Sequence, residues 1–111
     1  MIRLVTRGRF THDYLKGILA APEDREPVVR KLVESVGGKV ISFYLTTGDT
    51  DFLLISEADE AEAIIASLMA AASAGSISHV STSRAWTGGE FKAIADRAAK
   101  VASAYRPPGK H

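Results

Sequence analysis

A chain of 111 residues with 46% hydrophobic and 24% charged residues has the composition of one globular domain, which excludes a disordered or fibrous chain. A net charge of +1 sets up no strong field toward nucleic acid or anionic lipid, and the absence of cysteine removes disulfides, thiolate nucleophiles and zinc-thiolate sites. No apolar run approaches the ~20 residues that span a membrane, and no secretory leader pattern opens the chain, so a cytoplasmic protein with no membrane and no nucleic-acid partner is expected.

Ile2, Leu4 and Thr6 alternate with Arg3, Val5 and Arg7 and run into Gly8, which predicts a strand of about seven residues ended by a turn. Thr11 is placed to cap a helix with Asp13 in its first turn and Tyr14, Ile18 and Leu19 on one face, stopped by Pro22. Asp24 is placed to cap a second helical piece with Pro27 in its first turn and Val28, Val29, Leu32, Val33 and Val36 at core spacing. Gly37-Gly38 ends it.

Lys39 to Thr46 and Asp51 to Ser56 read as two strands joined by Thr47-Gly48-Asp49-Thr50, an antiparallel hairpin. Ser56-Glu57-Ala58-Asp59 has capping-box spacing before a helix that carries Ile64, Ile65, Leu68, Met69 and Ala72 and ends at Gly75. Ile77 to Trp86 is β-branched and predicts a fourth strand. Thr87-Gly88-Gly89-Glu90 is a second capping box, opening a helix with Phe91, Ile94, Ala95, Ala98, Val101, Ala102 and Tyr105 on one side until Pro107-Pro108. With no internal repeat or linker, residues 1–106 make one α+β domain and 107–111 a flexible tail. The order is the split βαβ plan of ferredoxin-like βαββαβ domains, with a four-stranded antiparallel sheet and an added C-terminal helix.

Strict alternation in the second strand puts Val40, Ser42, Tyr44 and Thr46 on one face and Ile41, Phe43 and Leu45 on the other, while Leu53 and Ile55 oppose Phe52 and Leu54 in the third. Both faces then carry large apolar groups, whereas helices in this plan cover one. A homodimer formed sheet to sheet answers that need, the alternative being that the C-terminal helix folds back over its own sheet.

The Gly37-Gly38-Lys39 entry to the second strand, Thr47-Gly48 with Asp51 at the hairpin, the Ser56–Asp59 helix entry and Gly75 before the last strand resemble the GYD family, named for a Gly, Tyr, Asp motif at that hairpin. The likeness takes in most of the chain except the tail helix. It implies a dimeric α+β barrel with no established activity, and Thr50 stands where the family usually has its Tyr, which leaves any role of that phenol out of this chain.

Several residues are candidates for chemistry. His79 shares its strand with Ser81 and Ser83 and offers an acid, a base or a haem ligand; alone, it reads better as a surface or hydrogen-bonded histidine. Asp51, near Tyr44 and Arg84, offers a general base, but an aspartate at a hairpin more often accepts backbone N–H groups. Phe43, Tyr44 and Trp86, with Phe52, suit the wall of an inter-sheet cavity for a small apolar or aromatic molecule, or simple packing. Arg7-Gly8-Arg9 before a helix start offers a weak anion site. His12 and His111 belong to a helix start and a chain end, and three histidines so spaced fit no metal, so neither metal nor cofactor is expected.

The leading functional expectation is a homodimeric binding or accessory protein with an inter-sheet cavity. The alternatives are a dimeric α+β barrel enzyme, either a cofactor-independent oxygenase or a haem protein built around His79, Tyr44 or Arg84, and a structural assembly protein that uses its C-terminal helix.

Overall fold

A computed structural model describes residues 1–109, so His111 lies outside the described residues. The chain runs β1 (Ile2–Phe10), α1 (His12–Ala20), α2 (Glu26–Ser35), β2 (Lys39–Leu45), β3 (Phe52–Ala58), α3 (Ala61–Ser73), β4 (Ile77–Ala85) and α4 (Gly88–Val101), followed by a 3-10 turn at Ala102–Ala104. The strands form one antiparallel sheet in the order β2-β3-β1-β4, the ferredoxin-like arrangement expected from the element order.

The alternation of β1 and β3 sorts their side chains. Leu4, Thr6 and Gly8 of β1 and Phe52, Leu54, Ser56 and Ala58 of β3 are buried, and the intervening Val5, Leu53 and Ile55 are half-buried on the opposite face. The core lies between the first set and the helices, with Val33 of α2, Val40 of β2 and Ile64 of α3 closing on Leu4, Leu54 and Ala58. Burial of these apolar groups is the main force holding the helical layer to the sheet.

Helix starts follow local chemistry. Thr11 caps α1, its Oγ1 accepting the Tyr14 N–H at 3.2 Å and donating to the Gly75 carbonyl. At α2 the cap position is Arg25, one residue later than expected, and the Asp24 carboxylate just ahead of it accepts the first helical N–H, that of Glu26, at 2.9 Å. Thr87 and Glu90 form both bonds of a capping box at α4.

Four expectations are corrected. The first strand does not end in a turn at Gly8 but continues to Phe10; a Cβ on Gly8 would stand 2.7 Å from Phe52 Cζ, so the glycine makes room for a ring. Arg7-Gly8-Arg9 is therefore ladder, not a loop of free amides. Ser56–Asp59 is not a capping box, since β3 runs on through Ala58 to pair with Ile2, and α3 starts at Ala61 without a side-chain cap. In β2 the register shifts between Val40 and Ser42, a bulge that takes Ile41 out of the alternation. As a result Val40, Phe43 and Leu45 share the helix face, and Ser42 and Tyr44 point the other way.

The C-terminal helix does not fold back. Every residue of α4 is exposed, the molecule measures 64 × 31 × 22 Å, and its radius of gyration of 18.3 Å exceeds the ~13 Å of a compact chain of about this length. It projects as an arm. Among the described residues, nothing covers the sheet face that carries Val5, Leu53, Ile55 and Tyr44.

Candidate functional site

The helix layer does not close completely over the sheet. Between α1, α2, α3 and the helix face of β1, β2 and β3 lies a cleft of about 310 Å³, within the range of small-molecule sites. Phe10, Phe43, Phe52 and Leu54 form its floor, and α2 and α3 supply aliphatic walls through Val29 and Leu68. The small residues Ala70 and Ala71 of α3, with Ala74 just past its end, leave this space because an Ala-rich helix carries little bulk toward the sheet.

Aromatic stacking builds the mouth. The rings of Phe10 and Tyr14 stack with centroids 4.0 Å apart, and Phe10 and Phe52 lie 5.4 Å apart. The Arg25 guanidinium sits 5.8 Å from the Tyr14 ring centre and pairs with Glu23 at 2.8 Å. The hydrogen bond that the guanidinium donates to Glu23, ahead of the opposing effect of burial, pushes the Arg25 pKa up, so the group stays a cation. A second hollow continues from the same mouth, sharing Phe10, Tyr14, Arg25 and Phe43 and bordered by Asp24, Glu26 and Asp51. The arrangement is an apolar slot whose rim carries one guanidinium and several carboxylates.

The candidate residues scatter. Phe43 lines the cleft on the helix face and not an inter-sheet space, because the β2 bulge turns it there. Tyr44 points to the uncovered face and is 59% exposed. Trp86 lies after β4 at the root of the arm, packed edge to face with Phe91 at 6.1 Å and under Arg84 at 5.2 Å.

Asp51 Oδ2 accepts the Phe10 N–H at 2.9 Å, and its main chain bonds Gly8 and Thr46, so its carboxylate ties the hairpin to the end of β1. Arg84 pairs with Leu4, near the opposite end of β1. Five residues of strand, roughly 17 Å, separate it from the Asp51 end. His79 is exposed, with φ of 52° in a bulge where β4 sets two residues against Gly8, and its Nδ1 lies 3.0 Å from Ser78 Oγ. Asp51, Arg84 and His79 are not brought into one site. Among the described residues no group of three or more His, Asp or Glu is placed to hold a metal ion. No helix among the described residues is long and apolar enough to cross a membrane.

Sequence reasoning missed Phe10, Tyr14 and Arg25 as a group. The signal was the aromatic pair four residues apart across the β1–α1 junction, which strand-then-turn reading of Gly8 concealed.

No curated protein matches the chain. Among solved structures, the crystal structure of FFRP-DM1 is similar at 16% identity and a TM-score of 0.47, over 78% of this chain and 100% of that one. The model of the GYD domain matches residues 4–95, from β1 into the first half of α4. The chain belongs to the GYD domain family.

Proposed function

We propose that this protein is a homodimeric small-molecule-binding or accessory protein, joined through the uncovered sheet face and taking a small apolar or aromatic molecule in the helix-side cleft. The cleft carries the binding half of the reading: a slot of about 310 Å³ with an aromatic floor is space that a well-packed core of this size would fill. Its rim, with Arg25 paired to Glu23, offers a bound molecule a guanidinium beside a carboxylate. The dimer half is supported by Val5, Leu53, Ile55 and Tyr44, a strip of apolar surface on a sheet whose helices lie on the other side.

Filling the cleft tests the binding reading. Ala71 lines it, and Ala71→Phe places a ring in the space with its backbone unchanged in a helix. An apolar fluorescent probe such as 1-aminoanthracene binds the native protein and loses at least tenfold in affinity on the variant, at unchanged far-ultraviolet circular dichroism. Equal affinity for both proteins, or none for the native one, overturns the reading of the cleft.

A further inference from the structure

We propose that the molecule taken by the helix-side cleft is an aromatic monocarboxylate, its ring in the slot and its carboxylate on the Arg25 guanidinium. The inference rests on the binding reading above and names the class of ligand. Charge, available donors and size all point to it.

Arg25 is the one charged residue among the described residues that line the cleft; Tyr14, Ser67 and Ser76 contribute hydroxyls, and the rest of the wall is aliphatic or aromatic. Buried Ser67 gives its hydroxyl hydrogen to the Ile64 carbonyl at 2.7 Å, which leaves it no donor for an anion. The rim carboxylates border the neighbouring hollow and not the cleft. Each has a partner of its own. Glu23 holds Arg25 at 2.8 Å, Asp24 accepts the Glu26 N–H at 2.9 Å, Glu26 reaches Arg30 at 3.4 Å, and Asp51 accepts the Phe10 N–H at 2.9 Å. Glu23, Asp24 and Glu26 stand about the α2 N-terminus, where the helix dipole favours negative charge. The charge on the wall of the slot itself is positive.

The guanidinium has donors to spare. Its bond to Glu23 leaves from Nη1, and the planar group carries further N–H donors in a fork that matches a carboxylate. It lies 5.8 Å from the centre of the Tyr14 ring, which stacks on Phe10, so a ring entering beside these aromatics brings its substituent to the cation. An apolar body closing over a guanidinium strips water from it. A carboxylate restores the lost partner, whereas an ammonium adds repulsion.

At about 310 Å³ the cleft lies at the lower end of the ~300–1,000 Å³ of small-molecule sites, room for one or two fused rings. A dianion such as a phosphate would set extra charge against Glu23, Asp24 and Glu26, so the head group is a single carboxylate.

The test is calorimetric titration of the full chain at neutral pH with 2-naphthoate, its uncharged counterpart 2-naphthamide and the cation 2-naphthylmethylammonium, repeated on Arg25→Gln. The expected result is that the native protein binds the acid at least tenfold more tightly than the amide or the ammonium. The substitution should abolish that preference by weakening the acid and leaving the amide unchanged. An amide or ammonium bound by the native protein as tightly as the acid overturns the carboxylate assignment and leaves the cleft reading standing. A preference for the acid that survives in Arg25→Gln overturns the proposal in the same way. A native protein that binds none of the three overturns both.

Discussion

The carboxylate of Glu90 serves Thr87 and Arg3 at once: its Oε1 accepts the Thr87 N–H at 2.7 Å and lies 3.1 Å from Arg3 Nη1. One atom thus joins the cap of the arm to the first strand of the sheet. The Thr87 N–H, followed by the Arg3 guanidinium, holds the Glu90 carboxyl below its ordinary 4.5. A depressed carboxylate stabilises the fold above its unfolded value and loses that contribution as pH falls through the lower folded value. Acidification below 4.5 should therefore release the root of the arm, read as a change in emission of the single tryptophan, Trp86, before global unfolding. The variant Glu90→Gln should lack that step, and an unchanged step in the variant would contradict the assignment to Glu90.

Gly8 should resist substitution. The Cβ of Gly8→Ala would meet Phe52 Cζ at 2.7 Å and Val80 Cγ2 at 3.3 Å, in a strand with partners on both sides. Overpacking of this kind costs about 1–3 kcal/mol, measurable by urea denaturation. A neutral result would mean that the Phe52 ring moves freely into the cleft.

Ser56 makes the opposite case. Its side chain is fully buried, and its Oγ has no hydrogen-bond partner among the described residues. Removing an unsatisfied hydroxyl leaves little cavity and ends a desolvation penalty, so Ser56→Ala should stabilise the protein by about 1 kcal/mol. A loss of that size would show that the hydroxyl is bonded.

The bulge in β2 makes neighbouring aromatics behave differently. Phe43 faces the cleft and Tyr44 the uncovered sheet face. Phe43→Ala should weaken probe binding about tenfold and leave the dimer intact, whereas Tyr44→Ala should weaken the dimer and leave the probe. Swapped effects in a titration and a sedimentation experiment would reverse the assignment of faces.

Much of this architecture is legible in the sequence because local chemistry decides it. The bond from Tyr14 to Thr11, Pro22, Gly37, the Thr47–Thr50 hairpin and the Thr87–Glu90 box all act within a few residues of themselves. What could not be read depends on contacts distant in the chain. Gly8 looks like a turn until Phe52 is placed against it, and Ser56–Asp59 looks like a helix entry until β1 pairs with it. The Ile41 bulge reverses the faces of Phe43 and Tyr44 without leaving any mark on composition, and this moved the candidate pocket from between two sheets to beneath the helices. The stripe on α4 shows an apolar face, but the same stripe serves a helix docked on its own domain or on another.

The central claim, that two copies close over the sheet face carrying Val5, Leu53 and Ile55, is tested most directly by native mass spectrometry of the untagged protein at low micromolar concentration. The account predicts a species at twice the chain mass, reduced to the chain mass by Leu53→Asp. A native protein that stays at the chain mass across the concentration range would contradict it.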